Sequence, residues 1–312
     1  MSYFEAMMRA YEQAGGDPGS LRSPGFASLV VNGNMVLSTT EVQGISIDTQ
    51  EISRGVRARI IVSPGTRLPT PVHLCFGMLP AQGVQEIESE FDIGSGAVVS
   101  FLAHCTFPNA TKVKHLMRAK IGIGTGASLR YSEVHYHGQT GGIEVIPQAE
   151  VSLEEKVRFH STFSLTKGRV GRLDINYVVY VADHAIAELL TRAYGFSTDT
   201  INVKEEVRLN GEYARGLAKS RIALREQAKA VVTGAVEGNA PYVRGHVDCI
   251  EIVQEQAEAQ AVPIVKVCDE RARVTHEAAI GSVNRKELET LAARVLTEEK
   301  AIEVKIRGML EG

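Results

Sequence analysis

Two kinds of hydrophobic pattern divide this chain. Over residues 2–13, Phe4, Met7, Met8 and Tyr11 recur at i, i+3, i+4 and i+7, the spacing of one helical face. Gly15-Gly16 stops that pattern. Residues 17–25 hold Pro18, Gly19, Pro24 and Gly25 and read as a linker. From Ala27 to about Gly281 no sustained helical period is found. Short runs of β-type character replace it, at 57–63, 97–103, 128–135, 170–179, 185–193, 201–209, 219–233 and 264–267. Gly, Asn or Asp punctuates many of them.

The helical period returns at the C-terminus. Asn284 is placed as an N-cap with Glu287 three residues on, a capping-box arrangement. Leu288, Leu291, Ala292 and Val295 form its apolar stripe. Thr297 caps a second helix, and Glu298 and Glu299 fall in its first turn, where the helix dipole favours negative charge. Ile302, Ile306 and Met309 line one face of that helix. The pattern therefore predicts three segments: an N-terminal helix and linker over 1–25, a β-rich core over 26–283, and a helical pair over 284–312.

Gly96-Ala97, Gly126-Ala127, Gln148-Ala149 and Asn239-Ala240 each lead into or toward a β-type run. The first three recur at intervals of roughly 20–30 residues, which fits the coils of a β-solenoid, where each rung buries its face only against its neighbours. A β-sandwich or barrel built of many short strands is the alternative.

Composition narrows the function. The chain has 312 residues, 44% hydrophobic and 23% charged, with a formal net charge of −3. That is ordinary globular composition, with no basic stripe to attract nucleic acid. No apolar run approaches the ~20 residues that span a bilayer. The first residues carry Glu5, Arg9 and Glu12 inside their apolar pattern, so they do not read as a signal peptide, and a cytoplasmic location is expected. Cys75, Cys105, Cys249 and Cys268 form no Cys-x-x-Cys pair, so a metal site must be assembled by the fold or between chains.

Glu133, His135 and His137 alternate at i, i+2 and i+4, which places all three on one face of a strand. Two imidazoles and a carboxylate suit ferrous iron or zinc, and a solvated polar face is the plainer reading. Cys75 and Cys105 read as structural. A phosphate-binding Gly-x-x-x-x-Gly-Lys-Ser/Thr loop, a Gly-x-Ser-x-Gly elbow and a His-Glu-x-x-His pair are all missing. Gly122-Ile123-Gly124-Thr125-Gly126 reads as a β-turn.

The C-terminal third carries a resemblance. Its pieces are Gly245-His246-Val247-Asp248-Cys249, Ala261-Val262-Pro263, Thr275-His276-Glu277-Ala278-Ala279-Ile280-Gly281, and Leu296-Thr297-Glu298-Glu299-Lys300-Ala301 followed by Arg307-Gly308. These blocks, in this order over about 244–310, resemble the SufB/SufD family of iron–sulfur cluster assembly scaffolds. The resemblance implies a right-handed parallel β-helix core with helical ends. It implies Cys249, His276 and Glu277 as ligands of a transient iron–sulfur cluster, with Cys268 as a reserve thiol and Asp248 as the alternative occupant of the Cys249 position. Thiolate is the ligand such clusters use most. Neighbours in a regular strand point to opposite faces, so His276 and Glu277 do not readily serve one iron.

The resemblance further implies a homodimer, docking of a Suf-type ABC ATPase on the C-terminal helices, and a cysteine desulfurase or other sulfur donor. Neither nucleic acid nor membrane is implied, and assembly rather than enzymatic turnover is the expected work. The rival classes are a metal-free structural or regulatory β-helix that partners the ATPase, and a metal-dependent sugar-modifying solenoid.

Overall fold

A computed structural model describes residues 1–283 and 297–311. Two short helices, α1 (Tyr3–Gln13) and α2 (Pro18–Arg22), precede the strands. One sheet contains β1 (Ser28–Asn32), β2 (Met35–Thr40), β5 (Val72–Gly77), β7 (Val98–Phe107), β9 (Ser128–His137), β11 (Arg158–Lys167), β13 (Ile186–Gly195), β15 (Arg215–Leu224), β17 (Arg244–Val253) and β19 (Arg273–Gly281). The second contains β3 (Ile45–Ile52), β4 (Gly55–Val62), β6 (Gln82–Ile93), β8 (Lys112–Ile123), β10 (Ile143–Leu153), β12 (Arg172–Val181), β14 (Thr200–Leu209), β16 (Lys229–Gly238) and β18 (Glu258–Val267). We call them the odd and even sheets, although β2 and β3 fall outside that alternation. Each later coil adds one strand to each sheet, and the result is a β-solenoid of about 8 turns.

The coils stack in parallel register, so side chains of one parity form columns along the interior. One inward column of the odd sheet runs Glu133, Phe163, Thr191, Ser220, Cys249, Ala278. The alternating burial along β9 to β17 follows from this arrangement: inward positions are closed between the sheets and outward ones meet solvent. Phe91, Phe101 and Tyr131 pack edge to face in the interior of the early coils.

The two ends differ. At the first coils, Met7, Met8 and Tyr11 of α1 and Leu21 of α2 cover Val30 and Cys75 on the outer face of β1 and β5. The Tyr11 hydroxyl lies 2.9 Å from His73 Nδ1. The antiparallel strands β2 and β3 finish this end. Segment 17–25, expected as a linker, instead forms α2. Asp17 caps it by accepting from Gly19 N–H, Pro18 suits the first turn, and Leu21 is buried.

At the other end, β18 and β19 each pair on one side only. Val265, Val267 and Ile280 continue the inward columns there, yet are 39%, 50% and 45% exposed. Among the described residues no element caps this last coil. The C-terminal helix (Glu298–Glu311) begins where expected, with Thr297 Oγ1 accepting from Lys300 N–H. It lies on the outer face of the odd sheet, where Ile306 and Leu310 meet Ala223, flanked by Tyr194 and Ile252. The first helix of the expected pair, with Asn284 and its Leu288–Val295 stripe, falls outside the described residues.

One irregular corner is pinned by a buried ion pair. Asp199 Oδ1 accepts from Arg169 Nε and Nη2 at 3.0 and 2.7 Å. The same carboxylate accepts from the backbone N–H groups of Val170, Gly171 and Phe196. Removing one partner of such a pair strands the other charge in the interior. Asp199→Ala is therefore expected to lower stability by about 3–5 kcal/mol, measured by denaturant unfolding. A loss below about 1 kcal/mol would mean the pair behaves as a surface bridge.

Candidate functional site

Cys249 sits on β17 with its side chain inward, 1% exposed, and burial pushes its thiol up to about 11. Asp248 points to the outer face and is held by Arg221, whose Nη1 and Nη2 donate to its two oxygens at 2.9 and 2.6 Å. The alternation of the strand thus separates the two residues that were alternatives for one position.

His276 and Glu277 lie on β19, and both are exposed. His276 stacks on Val247 and so shares the inward parity of Cys249, one step along the strand. Glu277 stacks on Asp248 and shares the outward parity. Cys249 itself stacks on Ala278. Within one chain the thiol and imidazole therefore take one face of the odd sheet, and the carboxylate takes the other. Cys268 is exposed just past β18.

The surroundings of Cys249 hold groups the sequence reading missed. Glu251, two residues on along the same inward face, is 1% exposed, and neither carboxylate oxygen has a hydrogen-bond partner among the described residues. Burial raises it to about 7. Across the interior on β14, Glu205 accepts from Thr191 Oγ1 at 2.6 Å, and burial raises it to about 7 as well. Gly234 of β16 faces Cys249: a Cβ there would stand 3.5 Å from Sγ and 2.7 Å from Val247 Cγ1. Period-two spacing from Cys249 would have found Glu251; the cross-sheet neighbours needed the fold.

Glu133, His135 and His137 form a separate group deep in the solenoid. The three are 4%, 1% and 1% exposed, so the plainer expectation of a solvated face does not hold. They share the inward face of β9, as the spacing predicted. Cys105, one coil earlier, is the register partner of His135 and joins them. The Cys249 and Cys105 groups lie at different coils and are distinct sites. No helix among the described residues is long and apolar enough to cross a membrane.

The buried carboxyl beside Cys249 gives a pH test. Its folded pKa lies above the usual value of 4.5, so its stabilising protonation is complete below that value and is lost as pH rises through about 7. Glu251→Gln is expected to stabilise the protein at pH 8 by on the order of 3 kcal/mol. At pH 4.5 the gain should be much smaller. Denaturant midpoints at the two pH values check this, and a pH-independent difference would count against an interior carboxyl that titrates.

Comparison with known proteins adds the following. Residues 87–309 match the family model described as "SUF system FeS cluster assembly, SufBD core domain". An iron–sulfur cluster assembly SufBD family protein of Methanocaldococcus jannaschii is 40% identical over 282 residues, covering 90% of this chain and 89% of the relative. Another, from Pyrococcus horikoshii, is 34% identical over 307 residues, covering 98% and 93%.

Proposed function

Since this chain belongs to the SufBD family of iron–sulfur cluster assembly proteins, we propose that it is a cytoplasmic scaffold on which a cluster is built and handed on. The observation that carries this reading is the last coil, which no element caps among the described residues. Two strand edges without a partner among the described residues, and exposed Val265, Val267 and Ile280, converge there with His276 and Glu277, one coil beyond Cys249. An open sheet edge with apolar neighbours invites pairing. A second copy of the chain is the partner we infer, joined about a twofold axis.

Dimerisation also resolves the face problem. Cys249 and Glu277 point to opposite sides of one sheet, so a cluster draws ligands from both protomers. Thiolate, imidazole and carboxylate together hold iron less tightly than four thiolates, which favours transfer. The Cys249 thiol is buried and protonated at neutral pH, so the last coil must open before the sulfur can bind iron. A Suf-type ABC ATPase, docked on the C-terminal helices, supplies that work, and a cysteine desulfurase or other donor supplies sulfur. The work is assembly, not turnover of a substrate.

The closed state of Cys249 favours one rival, a metal-free β-helix whose role is to partner the ATPase. Anaerobic reconstitution with iron and sulfide separates the two readings. The scaffold should gain visible absorption and acid-labile sulfide, and Cys249→Ser should lose most of both while Cys75→Ser keeps them. Protein that takes up no sulfide in any variant supports the rival. Ligand sharing is tested by mixing Cys249→Ser with Glu277→Gln, the two ligands that one chain turns to opposite faces. Each homodimer should be impaired, and the heterodimer should recover one intact site of two. Verified heterodimers without recovered cluster would place the ligands within one chain.

The docking role has its own check. Truncation after Asn284 should abolish co-purification with the ATPase and leave the β-sheet circular dichroism intact. Retained binding by the shortened chain would exclude the C-terminal helices as the docking element.

A further inference from the structure

Cys105 Sγ, a Glu133 oxygen and a His135 ring nitrogen lie within 4.8 Å of one another in the closed middle of the solenoid. All three residues are buried. Cys105 comes from β7 and the other two from β9, adjacent strands in register. From the facing sheet, β8 adds Met117, whose Sδ is 3.9 Å from Cys105 Sγ. It also adds His115, fully buried, with neither ring nitrogen hydrogen-bonded among the described residues. The His115 ring centre is 6.1 Å from that of His135. An imidazole with two unpaired nitrogens in a dry interior is costly unless something else engages it.

The contacts of His137 favour one tautomer of His135. His137 Nδ1 lies 3.0 Å from the Arg169 carbonyl oxygen, so it carries the hydrogen. Nε2 of a neutral His137 then accepts from His135 Nδ1, 3.4 Å away. That leaves the His135 Nε2 lone pair facing Glu133 Oε1 at 2.6 Å. At that distance a proton bridges the pair in the metal-free chain, and a metal ion takes its place on binding. The Arg169–His137–His135 chain is the outer support that metal-bound imidazoles use to fix their ring and tautomer. Gly168 keeps this corner close: its φ is +80°, and a Cβ there would stand 1.8 Å from the His137 carbonyl oxygen.

We propose that Cys105, Glu133, His135 and His115 bind a single divalent transition-metal ion, zinc or ferrous iron, that staples the two sheets in mid-solenoid. The donor set of one thiolate, two imidazoles and one carboxylate matches what such ions take in four-coordinate sites. Donor-to-donor distances in those sites are roughly 3–4 Å, so Cys105, Glu133 and His135 already stand near that spacing, and His115 turns toward them to complete the set. Binding displaces the Cys105 thiol proton and the proton between Glu133 and His135 to solvent. A cavity of about 30 Å³ touches Met117, Tyr131, Glu133 and Tyr177, room for about one water. All four donors are buried, so the ion is best supplied during refolding. This site is independent of the cluster proposed at the open end: it holds no sulfide and sits several coils away.

The test refolds the full chain with Zn(II), Fe(II) or Co(II), each alone and without sulfide. Elemental analysis after desalting should find one ion per chain, with the tighter of zinc and iron identifying the occupant. The Co(II) form should show thiolate-to-cobalt charge-transfer absorption. Cys105→Ala and the Glu133→Gln/His135→Gln pair should lose the ion, and Cys249→Ser should keep it. The proposal is overturned if refolded wild type retains no ion, if its Co(II) form lacks thiolate absorption, or if a folded Cys105→Ala chain still holds one ion. The first two outcomes need no variant to fold. Loss of the ion in Cys249→Ser would reassign it to the open end.

Discussion

Parallel in-register stacking is the constraint from which the other features follow. Each coil buries its inward face against the coils on either side and has no second layer to rely on. Interior coils are satisfied twice, and terminal coils once. The N-terminal end is finished by antiparallel strands and flanked by α1, whereas β18 and β19 have one partner each among the described residues. The same stacking decides chemistry. It sets Cys105 beside His135 and Ser220 beside Cys249, and it turns Glu277 away from both.

The α-helical ends were legible because a 3.6-residue apolar stripe with a cap is a local signal. Tyr11 and Met7 meet the core where the pattern placed them, and Thr297 caps its helix. The solenoid was harder to read. Its later coils repeat at a separation of 29 residues, visible in the ladder bonds from Glu212 to Asp183 and from Asn239 to Asn210. The left-handed corner that ends each coil is Gly in the early turns, at Gly96 and Gly126, and then becomes Lys156, His184, Tyr213 and Tyr242. Glycine is the usual mark of that conformation, so the later corners are hidden. For the same reason 219–233 read as one run: Glu226 turns the chain there with φ 59°, and β15 ends before β16 begins.

The interior polar groups depended on that missed repeat. Cys105 reads as structural in sequence because a lone cysteine is most often a small buried hydrophobe. It meets His135 only through a one-coil step between β7 and β9. Glu133, His135 and His137 could be placed on one face from spacing alone, but whether that face looked in or out could not. Cys249, His276 and Glu277 were visible through family resemblance, and their separation onto two faces through the two-residue period of a strand.

The C-terminal helix has a mechanical consequence. It lies across the odd sheet, with Ile306 and Leu310 on Ala223 of β15, Tyr194 of β13 to one side and Ile252 of β17 to the other. Tyr194 also donates to Glu303 at 3.2 Å. A push along this rod is delivered as shear between neighbouring strands, and Ile252 is three residues from Cys249. Among the described residues β17 has only β19 beyond it, so its coil has fewer stacked neighbours to resist that shear than the coils of the middle. Displacement imposed at the outer face would concentrate at the coil that encloses the thiol, leaving the middle of the column undeformed.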